Sequence, residues 1–279
     1  MSAEAFVQRR ATISASLTAA SLTDVQRRAL IQLQALLLRD ERLAPACQAV
    51  VVDLEPLKWE MLIEFITELA HEFKLQSHTA GAACTLFYRF TQLAPESRWC
   101  AVEKPELAAA VCLRIAAKFH EVAYPHAHEL CASLHESPSS RRPPFGVAEL
   151  KEAELFILDT LEWKVNILTP HPVLGFLLTL VDEDPSGPTA KRAAALLDMS
   201  YHSYWMRAAT PAALAGSSLL LACHHVGTHS DAHASLISSL CGVPEARLAE
   251  MEWALEDFCR KVCTGQGGPA PALIDSPPP

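Results

Sequence analysis

Apolar residues recur along this chain at intervals of three and four, the spacing that gathers them on one face of an α-helix. Leu30, Leu33, Leu37 and Leu38 form the first such stripe, over Asp24 to Arg39, with Asp24 placed as its N-cap. Met61, Leu62, Phe65, Ile66, Leu69 and Phe73 form a second over Leu57 to Phe73, and Ser77 is placed to cap a third helix that runs to Phe90. Pro95 and the polar run after it break the pattern. Pro105 then suits the first turn of a fourth helix, which reads from Leu107 to Glu121. Two more follow, a short one from about Pro125 to Leu134 and another from Val147 to Trp163, the latter with Leu150, Leu155, Ile157, Leu158 and Leu161 as its apolar set.

Thr169-Pro170, a cap followed by a first-turn proline, opens a second series. Its predicted helices are His171 to Val181, Lys191 to Trp205, Pro211 to Val226, Ala232 to Leu240 and Pro244 to Val262. Pro211 opens a central apolar helix much as Pro105 does in the first series, so the duplication is one of pattern, not of identical residues. The pattern predicts an all-α fold of two tandem five-helix units preceded by an additional N-terminal helix. The expected boundaries are 1–56 for the N-terminal helix and connector, 57–167 for the first unit, 168–264 for the second, and 265–279 for a disordered Gly/Pro-rich tail.

Composition agrees with helix-on-helix packing. Half of the 279 residues are hydrophobic but only 7% are aromatic, with Ala and Leu recurring throughout. Val and Ile rarely alternate with polar residues, so no strand is predicted. A net charge of −9 argues against nucleic acid or an anionic membrane as the main partner. No apolar run is long enough to span a bilayer, and Met1 to Ala20 lacks the layout of a signal peptide. Both point to an intracellular protein, in the nucleus, the cytoplasm or both.

Nine cysteines include no Cys-x-x-Cys pair, and Cys84, Cys112, Cys223 and Cys241 lie in apolar runs where a thiol acts as a small hydrophobe. The sharpest metal candidate is CHHVGTHSDAH, with Cys223, His224, His225, His229 and His233. Its spacing passes through Gly227 and no second ligand cluster accompanies it, so it reads as a helix end and a polar loop. No metal and no other cofactor is predicted. Asp182-Glu183-Asp184, beside Pro185 and Gly187, reads as a solvated turn and not as a catalytic metal site.

One residue fits the pattern poorly. In Leu107 to Glu121 the positions Leu107, Ala110, Val111, Ile115, Lys118 and Phe119 fall on overlapping faces, so a cation ends a stripe that belongs to a core. An ammonium there needs a carboxylate partner or a route to water.

The residues around it carry a resemblance. AAKFHE at Ala116 to Glu121 resembles the hallmark of the cyclin box, an alanine-rich helix ending in lysine, an aromatic or apolar residue, and an acid. Leu57 to Gln92 is similar to the first two helices of that box. LEWKVNILTPHP at Leu161 to Pro172 resembles the exit into the second box, in wording closest to D-type cyclins. LLDMSYHSYWMRAATPAALAGSSLLLACHHV resembles the second cyclin fold, and the likeness extends over roughly Leu57 to Val262.

The resemblance implies a non-catalytic regulatory subunit that binds and activates a cyclin-dependent Ser/Thr protein kinase. The alternative is a scaffold or adaptor of the same fold that activates no kinase. In the family, a lysine ending the third helix and a glutamate on the fifth hold the kinase's regulatory helix; here these are Lys118 and, seven residues before Leu161, Glu154. Ile115, Phe119 and Leu158 match positions lining the groove, and Glu121 is the acid that closes the hallmark. Kinase substrates are a further class of partner. The family's substrate-docking patch begins Met-Arg-Ala-Ile-Leu, whereas this chain has Lys58, Trp59, Glu60, Met61, Leu62 and Phe65, a wording that does not carry recruitment of Arg-x-Leu substrates. Tyr88 stands where the family has an aspartate, and Trp59 where many members have its arginine partner. Losing both avoids a stranded charge, and an aromatic contact is expected in their place. Arg27-x-x-Leu30 lies inside a predicted helix, and Ser137-Pro138 and Ser276-Pro277 read as loop prolines.

Overall fold

A computed structural model describes residues 22–43, 55–94, 104–136 and 146–264; the doublets Arg9-Arg10 and Arg141-Arg142, both Ser-Pro pairs and the tail fall outside them. Among the described residues every regular element is helical. The chain enters through α1 (Asp24–Leu43), and the first unit follows as α2 (Pro56–Glu72), α3 (Ser77–Leu93), α4 (Pro105–His120), α5 (Ala127–Glu136) and α6 (Val147–Thr160). The second is α7 (Pro170–Leu180), α8 (Pro188–Ser200), α9 (Pro211–Val226), α10 (Asp231–Cys241) and α11 (Glu245–Thr264), with a 3-10 turn at Tyr204–Met206 between α8 and α9.

Each unit is built around one enclosed helix. Pro105 and every residue from Leu107 to Ala117 of α4 are buried, surrounded by α2, α3 and α6. Residues Ala212 to Cys223 of α9 are likewise buried, among α7, α8, α10 and α11. Small side chains make this possible, because Ala, Ser and Gly let neighbouring helices approach closely. Gly216 is the tightest case in the second unit: a Cβ there would lie 3.1 Å from Cys241 Sγ and 3.2 Å from Ile237 Cγ2. Both central helices start on a proline, whose missing N–H costs nothing in the first turn. Cys84, Cys112, Cys223 and Cys241 are buried in the two cores.

Helix ends depart from the sequence pattern where the stop signal is not a local side chain. Asp24 is the first residue of α1 and not its cap; Thr23 accepts the Gln26 N–H, while its own N–H and hydroxyl donate to Gln26 Oε1. Nor does Ser77 cap α3, whose N-cap is Gln76. The predicted helix to Trp163 stops at Thr160, because Glu162 and Trp163 turn into the left-handed region (φ 52° and 57°) without a glycine. Trp163 N–H donates to Leu158 O at 2.8 Å, and its indole N–H to Asp159 Oδ1 at 2.9 Å, which fixes the exit. The predicted run to Trp205 ends at Ser200, and a 3-10 turn at Tyr204–Met206 follows it.

Ala29 and Leu33 of α1 belong to the second unit's core, with α1 lying against α7, so the N-terminal helix is a sixth wall of that unit and not a separate appendage. Between the units, Tyr204 of the 3-10 turn is buried in the first unit's core. The Tyr201 ring after α8 rests on Gly81 of α3, where a Cβ would come within 2.5 Å of its hydroxyl.

Candidate functional site

Helix α4 emerges from the core only in its last turn. There Lys118 is exposed, and its Nζ lies 2.5 Å from Glu154 Oε1 on α6. Glu154 itself is buried, at 8% relative exposure, and its other oxygen, Oε2, accepts a charge-assisted bond from Nη1 of Arg114. Arg114 is equally buried. Spaced four residues apart, Arg114 and Lys118 stand one turn apart on the same face of α4 and close on one carboxylate from two sides. The carboxylate is therefore doubly compensated, which answers the cost of placing it inside.

Arg114 is absent from the set predicted from sequence. Its signal was nevertheless available: an arginine in an otherwise apolar helix, one turn before the critical lysine.

Around the ion cluster the surface is apolar. Phe119 is 47% exposed, and Leu155 and Phe156 on α6 are 57% and 40% exposed. Leu158 is half-buried against the first core. Phe119 meets His120 edge on at 5.1 Å, and His120 meets His78 in the same way. Burial, then the neighbouring His78, holds the His120 imidazole below its ordinary pKa against the opposing pull of Glu121. Lys118 and Phe119 of α4 and Leu158, one turn after Glu154 on α6, thus lie at one edge of the two helices, while Phe156 turns to Phe90 of α3 and meets it edge on at 6.1 Å.

Three predicted residues take other positions. Ile115 is 4% exposed and belongs to the core, since α4 is enclosed on every side through Ala117; it does not line the surface. Glu121 turns away to the start of α3, where Oε1 accepts the Gln76 backbone N–H at 2.8 Å and the Thr79 hydroxyl at 2.7 Å. Burial pushes the Glu121 carboxyl up, but these hydrogen bonds and the nearby His78 outweigh it and leave its pKa below the ordinary value. In the candidate substrate patch Met61 is 57% exposed and Phe65 half-buried, while Leu62 points into the core at 3%. At 3.6 residues per turn, Trp59, Leu62, Ile63 and Ile66 of α2 face the core, and Met61 faces outward.

Trp59 and Tyr88 do meet, edge to face at 6.0 Å, and Trp59 also stacks on Phe87 at 5.8 Å. In the histidine-rich stretch, His224 Nδ1 lies 3.0 Å from Glu252 Oε2 and the His224 ring stacks on His229, while Cys223 is sealed in the core. Among the described residues no group of His, Cys, Asp and Glu side chains has the arrangement of a metal site. Asp184 Oδ1 accepts the Ser186 N–H at 2.9 Å, closing a turn.

Comparison with known proteins places this geometry. The family described as "Cyclin, N-terminal domain" matches residues 33–166, which contain α2 to α6 and the Lys118–Glu154 pair. Over these residues the chain is similar to the cyclin family. Human G1/S-specific cyclin-D3 is 23% identical over 251 residues, covering 86% of this chain and 82% of that protein. The chicken (Gallus gallus) G1/S-specific cyclin-D2 is 30% identical over 146 residues, 51% of this chain, and the chain spans only 46% of that relative's length. Among solved structures, a viral cyclin from herpesvirus saimiri aligns with a TM-score of 0.66 over 82% of this chain and 96% of its own, at 16% identity. The likeness extends through both units, so the architecture is two tandem cyclin folds, with D-type similarity in sequence.

Proposed function

We propose that this protein is a non-catalytic regulatory subunit that binds a cyclin-dependent Ser/Thr protein kinase at the α4–α6 edge and activates it. The observation that carries the reading is Lys118, a half-exposed ammonium at the rim of an apolar surface inside the matched cyclin domain. An ammonium offers three donors, suited to backbone carbonyls or a carboxylate on a partner helix. Phe119 and Leu158 supply apolar area beside it. A partner held there is activated only to the extent that its active conformation fits this edge better than its inactive one. The protein then acts by shifting a population, and no step of phosphoryl transfer needs a residue of this chain.

The test is a panel of purified cyclin-dependent kinases, each assayed for binding and for peptide phosphorylation with and without the protein. Binding with a rise in activity supports the reading. Binding to no kinase would sink it, and binding without a rise would leave a scaffold. Lys118→Ala is the informative variant, because removing Glu154 instead would strand the buried Arg114.

A further inference from the structure

We infer that Arg114 is a positioning residue: it keeps Glu154 compensated inside the fold so that Lys118 can leave the pair and bond a partner. The inference rests on the reading that a partner docks at the α4–α6 edge. Three observations carry it. The side chains of Arg114 and Glu154 are only 9% and 10% exposed, whereas that of Lys118 is 37% exposed, so of the three only the ammonium is placed to meet an incoming surface. The two cations use different oxygens of the carboxylate, Oε2 for Arg114 and Oε1 for Lys118, so one bond can break without disturbing the other. Arg114 Nε is buried with no hydrogen-bond partner, which leaves the pairing with Glu154 as the interaction that accounts for the guanidinium's place in an apolar helix.

The physical logic is one of exchange. With a single cation, moving Lys118 to a partner would strand a buried carboxylate, and the edge would hold its own lysine. With Arg114 present, the departure of Lys118 removes one of two compensating charges and leaves a buried ion pair intact. A rigid Arg114–Glu154 strut thus presents a labile Lys118. The cluster as a whole carries one excess positive charge, which favours a partner segment that brings carbonyl oxygens or a carboxylate.

The test compares Arg114→Met, Lys118→Met, Glu154→Gln and the double variant Arg114→Met/Glu154→Gln by thermal midpoint and by affinity for the kinase that the wild-type protein binds. Arg114→Met is expected to lower the midpoint by about 10 °C, by stranding Glu154 beside a mobile lysine. Lys118→Met is expected to lower it by less than about 2 °C. The double variant recovers most of the Arg114→Met loss, and it also keeps the test open if the single variant fails to fold. In binding, Arg114→Met weakens affinity about tenfold, since Glu154 now monopolises Lys118, and adding Glu154→Gln restores most of it. Equal midpoint losses for Arg114→Met and Lys118→Met would overturn the inference, as would a double variant that binds more weakly than Arg114→Met. If the wild-type protein binds no kinase, the docking proposal fails, while the midpoints alone still decide whether Arg114 or Lys118 is the strut.

Discussion

At the scale of single residues, the chain is organised by where it puts charge among apolar neighbours. Lys118 was conspicuous in the sequence because a cation closed an apolar stripe, and its partner Glu154 followed from the resemblance. Arg114 was not read, although it sits in the same helix, because attention to the stripe passes over a residue whose partner is forty positions away on α6. Ile115 and Leu62, matched through the resemblance to a groove and a docking patch, lie in the cores where their apolar stripes place them, and an enclosed helix such as α4 has no outer face. The Trp59–Tyr88 contact allows a sharper statement. Tyr88→Asp loses an edge-to-face aromatic pair and sets a carboxylate against a buried indole, at an expected cost of about 2–3 kcal/mol in chemical denaturation. A neutral substitution would mean that the two rings do not stand in for an ion pair.

At the scale of elements, existence and order were legible while ends were not. Pro211 to Val226 agrees residue for residue with α9, because proline at its start and Gly227, with φ 84°, at its end are local signals. Ends decided by distant groups left no such mark. Helix α3 is capped by Glu121, forty-five positions away from Gln76 in the chain, and α6 is stopped by two non-glycine residues in left-handed geometry. The Glu121 cap has a pH signature. Its folded-state pKa is depressed below the ordinary value near 4.5, so its stabilisation is complete above that value and is lost as pH falls through the lower folded-state value. The thermal midpoint of the wild-type protein should therefore exceed that of Glu121→Gln at pH 6 to 7, and the gap should close as the buffer is taken toward pH 3. A gap that is constant or widens in acid would show that the carboxylate does not act as a charged cap.

At the scale of the whole molecule, the two cyclin folds meet at Tyr201, seated on Gly81, and at Tyr204, buried in the first unit's core, while α1 joins the second core. Neither tie was written in the periodic pattern, since each depends on which surfaces meet after the helices have formed. Gly81→Ala would drive a methyl group into the Tyr201 ring, and the expected loss of stability is about 1–3 kcal/mol in chemical denaturation, with the first unit's helices retained by circular dichroism. An unchanged midpoint would mean that the junction is looser than this contact implies. The contact bears on function because it seats the second unit against the first, which carries the α4–α6 edge. The account as a whole stands on what that edge does. Its most direct test is the phosphorylation rate of a cyclin-dependent kinase titrated with the wild-type protein and with Lys118→Ala. A rise in rate with the wild-type protein that falls at least about tenfold with the variant, both proteins having the same helical spectrum, is the predicted result; equal activation by the two would contradict it.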